Sequence, residues 1–152
     1  MEAKIVSNEA FTVVGLLYRG KNEQGEIPEL WRRFGPRMHE IQDTVDESVA
    51  YGLCDNMDES TGAFDYLAAM EASGAGEIPE GMVSWQVPGG TYAAFTCTLP
   101  TIGDTFHYAY GTWLPQSSYE RGIGPELEVY GCEFDTGDPE STFDVYIPIA
   151  EK

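Results

Sequence analysis

Apolar positions in this chain alternate in some stretches and recur every three or four residues in others. Residues 10–18 place Phe11, Val13, Gly15 and Leu17 on one face of an extended run rich in β-branched and aromatic residues. The opposite face is also partly apolar, which predicts a strand covered on both sides. Over residues 27–41 the period changes. Ile27, Leu30, Trp31, Phe34, Met38 and Ile41 form one stripe of an amphipathic helix. Pro28 and Glu29 suit its first turn, and Gly35-Pro36 predicts a kink or two helical pieces, because proline has no N–H to donate. Residues 48–54 and 63–71 read as strands joined by an acidic turn at 55–62. The second is alanine-rich, so a helix competes there, and the short polar turn favours a hairpin.

The second half repeats this order. Strands are predicted at 82–87 and 91–98, with Pro88-Gly89-Gly90 as a turn. A helix follows at 100–115, with Ile102, Phe106, Ala109, Tyr110, Trp113 and Leu114 on one face. After a loop at 117–124 come a strand at 126–134, an acidic turn at 135–140 and a strand at 142–149. Pro148 predicts that the last residues lie at a sheet edge or end. With the strand at 82–87 set before the second unit, each half therefore reads strand, helix, strand, strand. The expected class is α+β: duplicated βαββ units, over roughly 1–76 and 77–152 of one domain, forming a mainly antiparallel sheet with two helices on one face.

Charge narrows the partners. Eight Lys and Arg stand against 26 Asp and Glu, a net charge of −18. A phosphate footprint needs clustered bases, so direct nucleic-acid binding is not expected, nor is an anionic membrane surface. Cationic ligands are permitted. Cys54, Cys97 and Cys132 are odd in number and widely spaced, which fits reduced thiols in a cytoplasmic protein better than disulfides or a zinc site. No leader pattern or apolar run of membrane-spanning length appears. His39 and His107 lack metal-ligand spacing, Gly89-Gly90 is not followed by the Lys-Ser/Thr of a phosphate loop, and no GxSxG is present, so no metal or cofactor is expected.

Several segments, in order, resemble one family. They are Phe11-x-Val-Val-Gly-Leu, Ile27-Pro28-x-Leu30-Trp31, Tyr51-Gly52-Leu53, Phe64 to Glu71, Val87-Pro88-Gly89-Gly90-x-Tyr92-Ala93-x-Phe95, Trp113-Leu114-Pro115-x-Ser117-x-Tyr119-Glu120, Gly124-Pro125-x-Leu127-Glu128-x-Tyr130 and Asp144 to Ile149. Together they are similar to the GyrI-like effector-binding domain, the ligand domain of AraC-type and MerR-type multidrug regulators. The resemblance implies a cleft between the two halves and binding of lipophilic cations. It implies that Glu128 is the pocket-floor carboxylate that pairs with the cation, ringed by aromatic side chains. Residues 1–152 leave no room for a helix-turn-helix, so the standalone form of the family is the expectation.

Strand parity puts Glu126, Glu128, Tyr130, Cys132 and Phe134 on one face. Taken alone, a strand glutamate is most often solvated; the resemblance is what singles out Glu128. Aromatic rings offer area and cation–π attraction. Those on sheet strands or late in the second helix are the ligand-site candidates: Tyr66, Trp85, Tyr92, Tyr110, Trp113, Tyr130, Phe143 and Tyr146. Phe11, Trp31, Phe34, Phe95 and Phe106 are assigned to packing. The leading function is a small-molecule binder for amphipathic cations. One alternative is a hydrolase of cyclopropane-containing genotoxins, as in some standalone relatives, with Glu128 and a pocket tyrosine as the catalytic pair. The other is an acidic protein-interaction role, as in a relative that inhibits DNA gyrase.

Overall fold

The computed structural model describes residues 2–74 and 76–152. Its strands are β1 (Lys4–Asn8), β2 (Phe11–Gly20), β3 (Ala50–Asp55), β4 (Phe64–Ala72), β5 (Val83–Val87), β6 (Gly90–Thr98), β7 (Tyr119–Arg121), β8 (Glu126–Tyr130) and β9 (Thr142–Glu151). They form one sheet in the order β1-β6-β9-β8-β3-β4-β2-β5, with β7 pairing β9, and every pairing is antiparallel. The order mirrors itself about the β8–β3 contact. On one side lie β6, β9 and β8; on the other lie β2, β4 and β3. The α+β class and the duplicated arrangement are those expected.

The helices cover one face of the sheet, one per half. α1 (Glu26–Phe34) runs into a 3₁₀ turn at Gly35–Glu40, the two pieces expected at Gly35-Pro36. Its stripe buries Leu30 and Phe34 against Val14, Leu16, Tyr66, Ala68 and Met70. The second helical segment is less regular than its stripe suggests. A 3₁₀ turn (Leu99–Thr101) leads into α2 (Ile102–Tyr108), a π turn (Ala109–Trp113) and α3 (Leu114–Gln116). Ile102, Phe106, Ala109, Tyr110, Trp113 and Leu114 all pack with Phe95, Phe143, Val145 and Ile147, as the stripe predicts. A third cluster, including Val13, Leu53, Leu67, Ala69, Val87, Tyr92 and Leu127, fills the reverse face. Burying such aliphatic and aromatic side chains stabilises a fold by about 1.5–3 kcal/mol each.

Each half lends a strand to the other. β1 precedes β2 but pairs with β6, and β5 precedes β6 but pairs with β2. The register runs from Lys4↔Ala94 to Asn8↔Gly90 and resumes without a slip at Phe11↔Val87. Pro88-Gly89 is therefore not a hairpin turn. It is one of two short links, with Glu9-Ala10, that pass each other and draw the two ends of the sheet together. A Cβ on Gly89 would lie 2.9 Å from the Ala10 nitrogen and 3.3 Å from the Asn8 oxygen, so glycine is what lets the links cross.

Three further expectations change. β8 ends at Tyr130 rather than Phe134, because a tight turn (Phe134 N–H to Gly131 O, 3.1 Å) folds the chain back. The loop at 117–124 contains β7. Pro148 does not end its strand: β9 continues to Glu151. Proline is tolerated there because β9 changes neighbour at that point, from β8 (last pair Leu127↔Tyr146) to β7 (first pair Arg121↔Ile149). The Pro148 carbonyl still accepts a bond, from Gly122 N–H at 2.8 Å.

Candidate functional site

The β8–β3 contact lies where the two halves meet. Leu127 of β8 points into the reverse-face core, so strand alternation sends Glu126, Glu128 and Tyr130 to the helix face. Glu128 sits directly opposite Gly52 of β3. A Cβ at Gly52 would collide with the Tyr66 hydroxyl and lie 2.5 Å from Glu128 Oε1. The missing side chain is the space in which the Glu128 contacts are made.

Those contacts form a directed chain. Trp31 Nε1 donates to the Tyr66 hydroxyl at 2.9 Å, Tyr66 donates to Glu128 Oε1 at 2.6 Å, and Tyr130 donates to the same oxygen at 2.7 Å. The other carboxylate oxygen, Oε2, receives no hydrogen bond among the described residues. No buried side-chain polar atom there lacks a partner, so Oε2 is the oxygen that reaches solvent. Glu128 is enclosed by protein yet keeps part of its surface accessible. Rings wall the site. Tyr130 lies 5.6 Å from Trp31, 4.8 Å from Phe134 and 4.6 Å from Phe143, centroid to centroid.

Burial pushes the Glu128 carboxyl above the ordinary carboxylate range, the two tyrosine hydroxyls oppose that push, and neighbouring Glu126 adds to it. Tyr66 and Tyr130 are pushed up, first by burial and then by the Glu128 charge, so both remain neutral donors. None of the salt bridges among the described residues involves Glu128: they are Arg19–Asp65, Arg32–Glu29 and Arg37–Glu40. The arrangement can accept a hydrogen bond, hold a proton or pair with a positive charge at Oε2.

Glu126 shares this face but has other company. Tyr110, on the π turn, donates a short bond to Glu126 Oε2. Arg121 Nε donates to the Tyr110 hydroxyl at 3.0 Å, and the same guanidinium holds the carbonyls of Gly122 at 2.5 Å and Gly124 at 3.1 Å.

The candidate aromatics thus divide into three groups. Tyr66, Tyr130 and Phe143 gather at Glu128. Tyr110 attends Glu126, while Trp113 packs on Phe95 (5.6 Å) and Tyr119 (6.2 Å) within the second helix's core. Tyr92, Trp85 and Tyr146 belong to the reverse-face cluster, with Tyr92 and Tyr146 paired at 5.8 Å. Trp31, assigned to packing from its place on the helix stripe, both packs and donates to Tyr66. Its indole N–H was the available signal, since a buried one needs a partner. Gly52 and Phe134 were also missed; a glycine inside a strand marks close approach of another group. Cys54 is pushed up by burial and by Glu128 and Glu126, and Cys97 up to about 12, mainly by burial, so both thiols are poor nucleophiles. Among the described residues no cluster of His, Cys, Asp and Glu is placed to hold a metal ion, and no helix is long and apolar enough to cross a membrane.

A family model described as "Cass2: Integron-associated effector binding protein" matches residues 4–149. The chain belongs to this family. That agrees with the effector-binding resemblance of its motifs and makes it a small-molecule effector-binding domain. The chain is 41% identical over 152 residues to the transcriptional regulator BrlR of Pseudomonas aeruginosa, covering 98% of itself and 56% of BrlR. It thus spans little more than half the length of that regulator. The integron cassette protein VCH_CASS2 of Vibrio cholerae superposes with a TM-score of 0.66 at 21% identity, over 97% of this chain and 95% of that one. SAV2435 bound to tetraphenylphosphonium gives 0.74 at 18% identity, over 99% and 94%. EcmrR in a DNA complex gives 0.76 at 11% identity, over 99% of this chain and 58% of that one. At these identities the structures share the fold.

Proposed function

We propose that the protein binds lipophilic cations at Glu128, with Oε2 pairing with the positive charge and Trp31, Tyr130, Phe134 and Phe143 contacting the apolar body. The observation that carries this reading is the asymmetry of the carboxylate. Oε1 is held by two tyrosine hydroxyls, and Oε2 is left open toward solvent with no basic side chain on it. A charge about 4 Å from such a carboxylate is worth up to roughly 4 kcal/mol at an effective dielectric near 20. Family membership supports the reading, as does the tetraphenylphosphonium held by a protein of the same fold. The −18 net charge favours the approach of cations and disfavours phosphate backbones.

Titration with tetraphenylphosphonium, followed by calorimetry and by melting temperature, tests the proposal. Saturable binding that weakens about tenfold or more in Glu128→Gln is the expected result. Absence of binding to the wild-type protein sinks it. The hydrolase alternative uses the same Glu128 with Tyr66 or Tyr130 and makes a different prediction: a cyclopropane-containing compound is consumed by wild-type protein and left intact by Glu128→Ala.

A further inference from the structure

The chain of donors into Glu128 has a direction. The Tyr66 oxygen accepts from Trp31 Nε1, which has one proton and no acceptor capacity. With that lone pair engaged, the Tyr66 proton is turned toward Glu128 Oε1. Tyr130 delivers a second proton to the same oxygen. Oε1 is thereby committed to accepting from both sides. A proton taken up by this carboxyl has one place to go, which is Oε2, the oxygen that accepts no hydrogen bond and reaches solvent.

We infer that Trp31 is a positioning residue that makes Glu128 a proton–cation exchanger: the empty site holds a proton on Oε2, and an incoming cation takes its place as the proton leaves to solvent. The inference rests on the cation-binding reading above and adds its coupling to pH. The balance is simple. One O–H bond breaks, the electron pair stays on Oε2 as carboxylate charge, and the ligand's charge replaces the proton's.

The groups around the carboxyl agree with this. Tyr66 from β4 and Tyr130 from β8 stay neutral, and α1 contributes the uncharged Trp31. Cys54 from β3 and Cys97 from β6 are thiols that feel the Glu128 charge and are themselves driven up by burial. Glu126 is the charged neighbour that acts on Glu128, and it raises the carboxyl further, as burial does. Each influence except the two tyrosine bonds favours the protonated empty site. Because a bound cation lowers the same carboxyl, affinity rises with pH across the interval between the bound and free values.

Calorimetric titration of the intact chain with tetraphenylphosphonium, in two buffers of different ionisation enthalpy, reads the exchange directly. Within that interval the observed heat should differ between buffers in proportion to their ionisation enthalpies. Affinity should climb by up to about tenfold for each step of one in pH before levelling off, the limit for release of a single proton. A protonated-carboxyl band in the infrared should disappear on ligand addition and be missing throughout in Glu128→Gln. Trp31→Phe keeps a ring but removes the N–H. Tyr66 then becomes a weaker donor and the midpoint of the affinity profile moves to higher pH. Binding with equal heats in both buffers and a flat pH profile overturns the exchange while leaving cation binding intact. An unmoved midpoint in a folded Trp31→Phe overturns the role of Trp31. No binding at any pH overturns both the exchange and the reading beneath it.

Discussion

Glu126 and Glu128 stand two residues apart on one face of β8, and each receives a tyrosine hydroxyl. Glu126 is tied through Tyr110 to Arg121, whose guanidinium is anchored on two backbone carbonyls. Its charge has a cation nearby and a structural task, holding the β7–β8 loop against the second helical segment. Glu128 is tied only to neutral donors, one of them held in turn by a neutral indole. The difference teaches that a carboxylate's availability is set less by its hydrogen bonds than by whether any of them leads to a positive charge. A buried acid without a counterion costs stability, and the fold keeps it.

The contrast can be broken most severely at Gly52. Gly52→Val drives a side chain into the space between Tyr66 and Glu128, so tetraphenylphosphonium binding should vanish and denaturant unfolding should show a loss of about 1–3 kcal/mol, the usual range for overpacking. Next in size, Glu128→Gln should weaken binding about tenfold or more and Glu126→Gln less than about threefold, since only the first removes an unpaired charge from the ligand. Similar losses in both would mean that the two acids act as one site. Third, Tyr66→Phe strands Trp31 Nε1 and removes a donor from Glu128, costing about 1–3 kcal/mol in the same unfolding measurement. Tyr110→Phe, at a more exposed network, should cost under about 1 kcal/mol.

The smallest effect is in pH. The Glu128 carboxyl sits above its unfolded value, so its stabilising contribution is fully present below the ordinary carboxylate pKa and is lost as pH rises through the raised one. Glu128→Gln keeps a neutral side chain of the same shape at every pH. At neutral pH it should therefore melt slightly higher than wild type, and that advantage should close on acidification. A wild-type protein that melts higher than the variant at neutral pH would show that the charged carboxylate is stabilised where it stands.

Much of the scaffold was legible because periodicity reports burial. The stripes Ile27 to Ile41 and Ile102 to Leu114 are the faces that α1 and the second helical segment bury. β1 was not legible: only Val6 and Asn8 are even partly buried in Lys4–Asn8, so one apolar stretch is too short to carry a period. The crossing at Pro88-Gly89 looked like a turn because turns and crossings ask the same thing of a backbone. At the site, parity correctly joined Glu128 to Tyr130 on one strand. It could not say which face the helices cover, and so Tyr92, Trp85 and Tyr146 stood beside Tyr66 as equals until the register separated them. Trp31 was hidden by doing two things at once, packing with its ring and donating with its nitrogen.

The exchanged strands bear on how the domain is made. β1 is synthesised before β2, yet its partner β6 follows only after every strand of the first half, and Lys4 waits for Ala94. Until then β1 has no neighbour to pair with, and β2 waits for β5 along one of its edges. Contacts so distant in sequence slow folding. The first half therefore emerges as an incomplete sheet with open edges, and the whole domain should lock in one late, cooperative step once the second half is out.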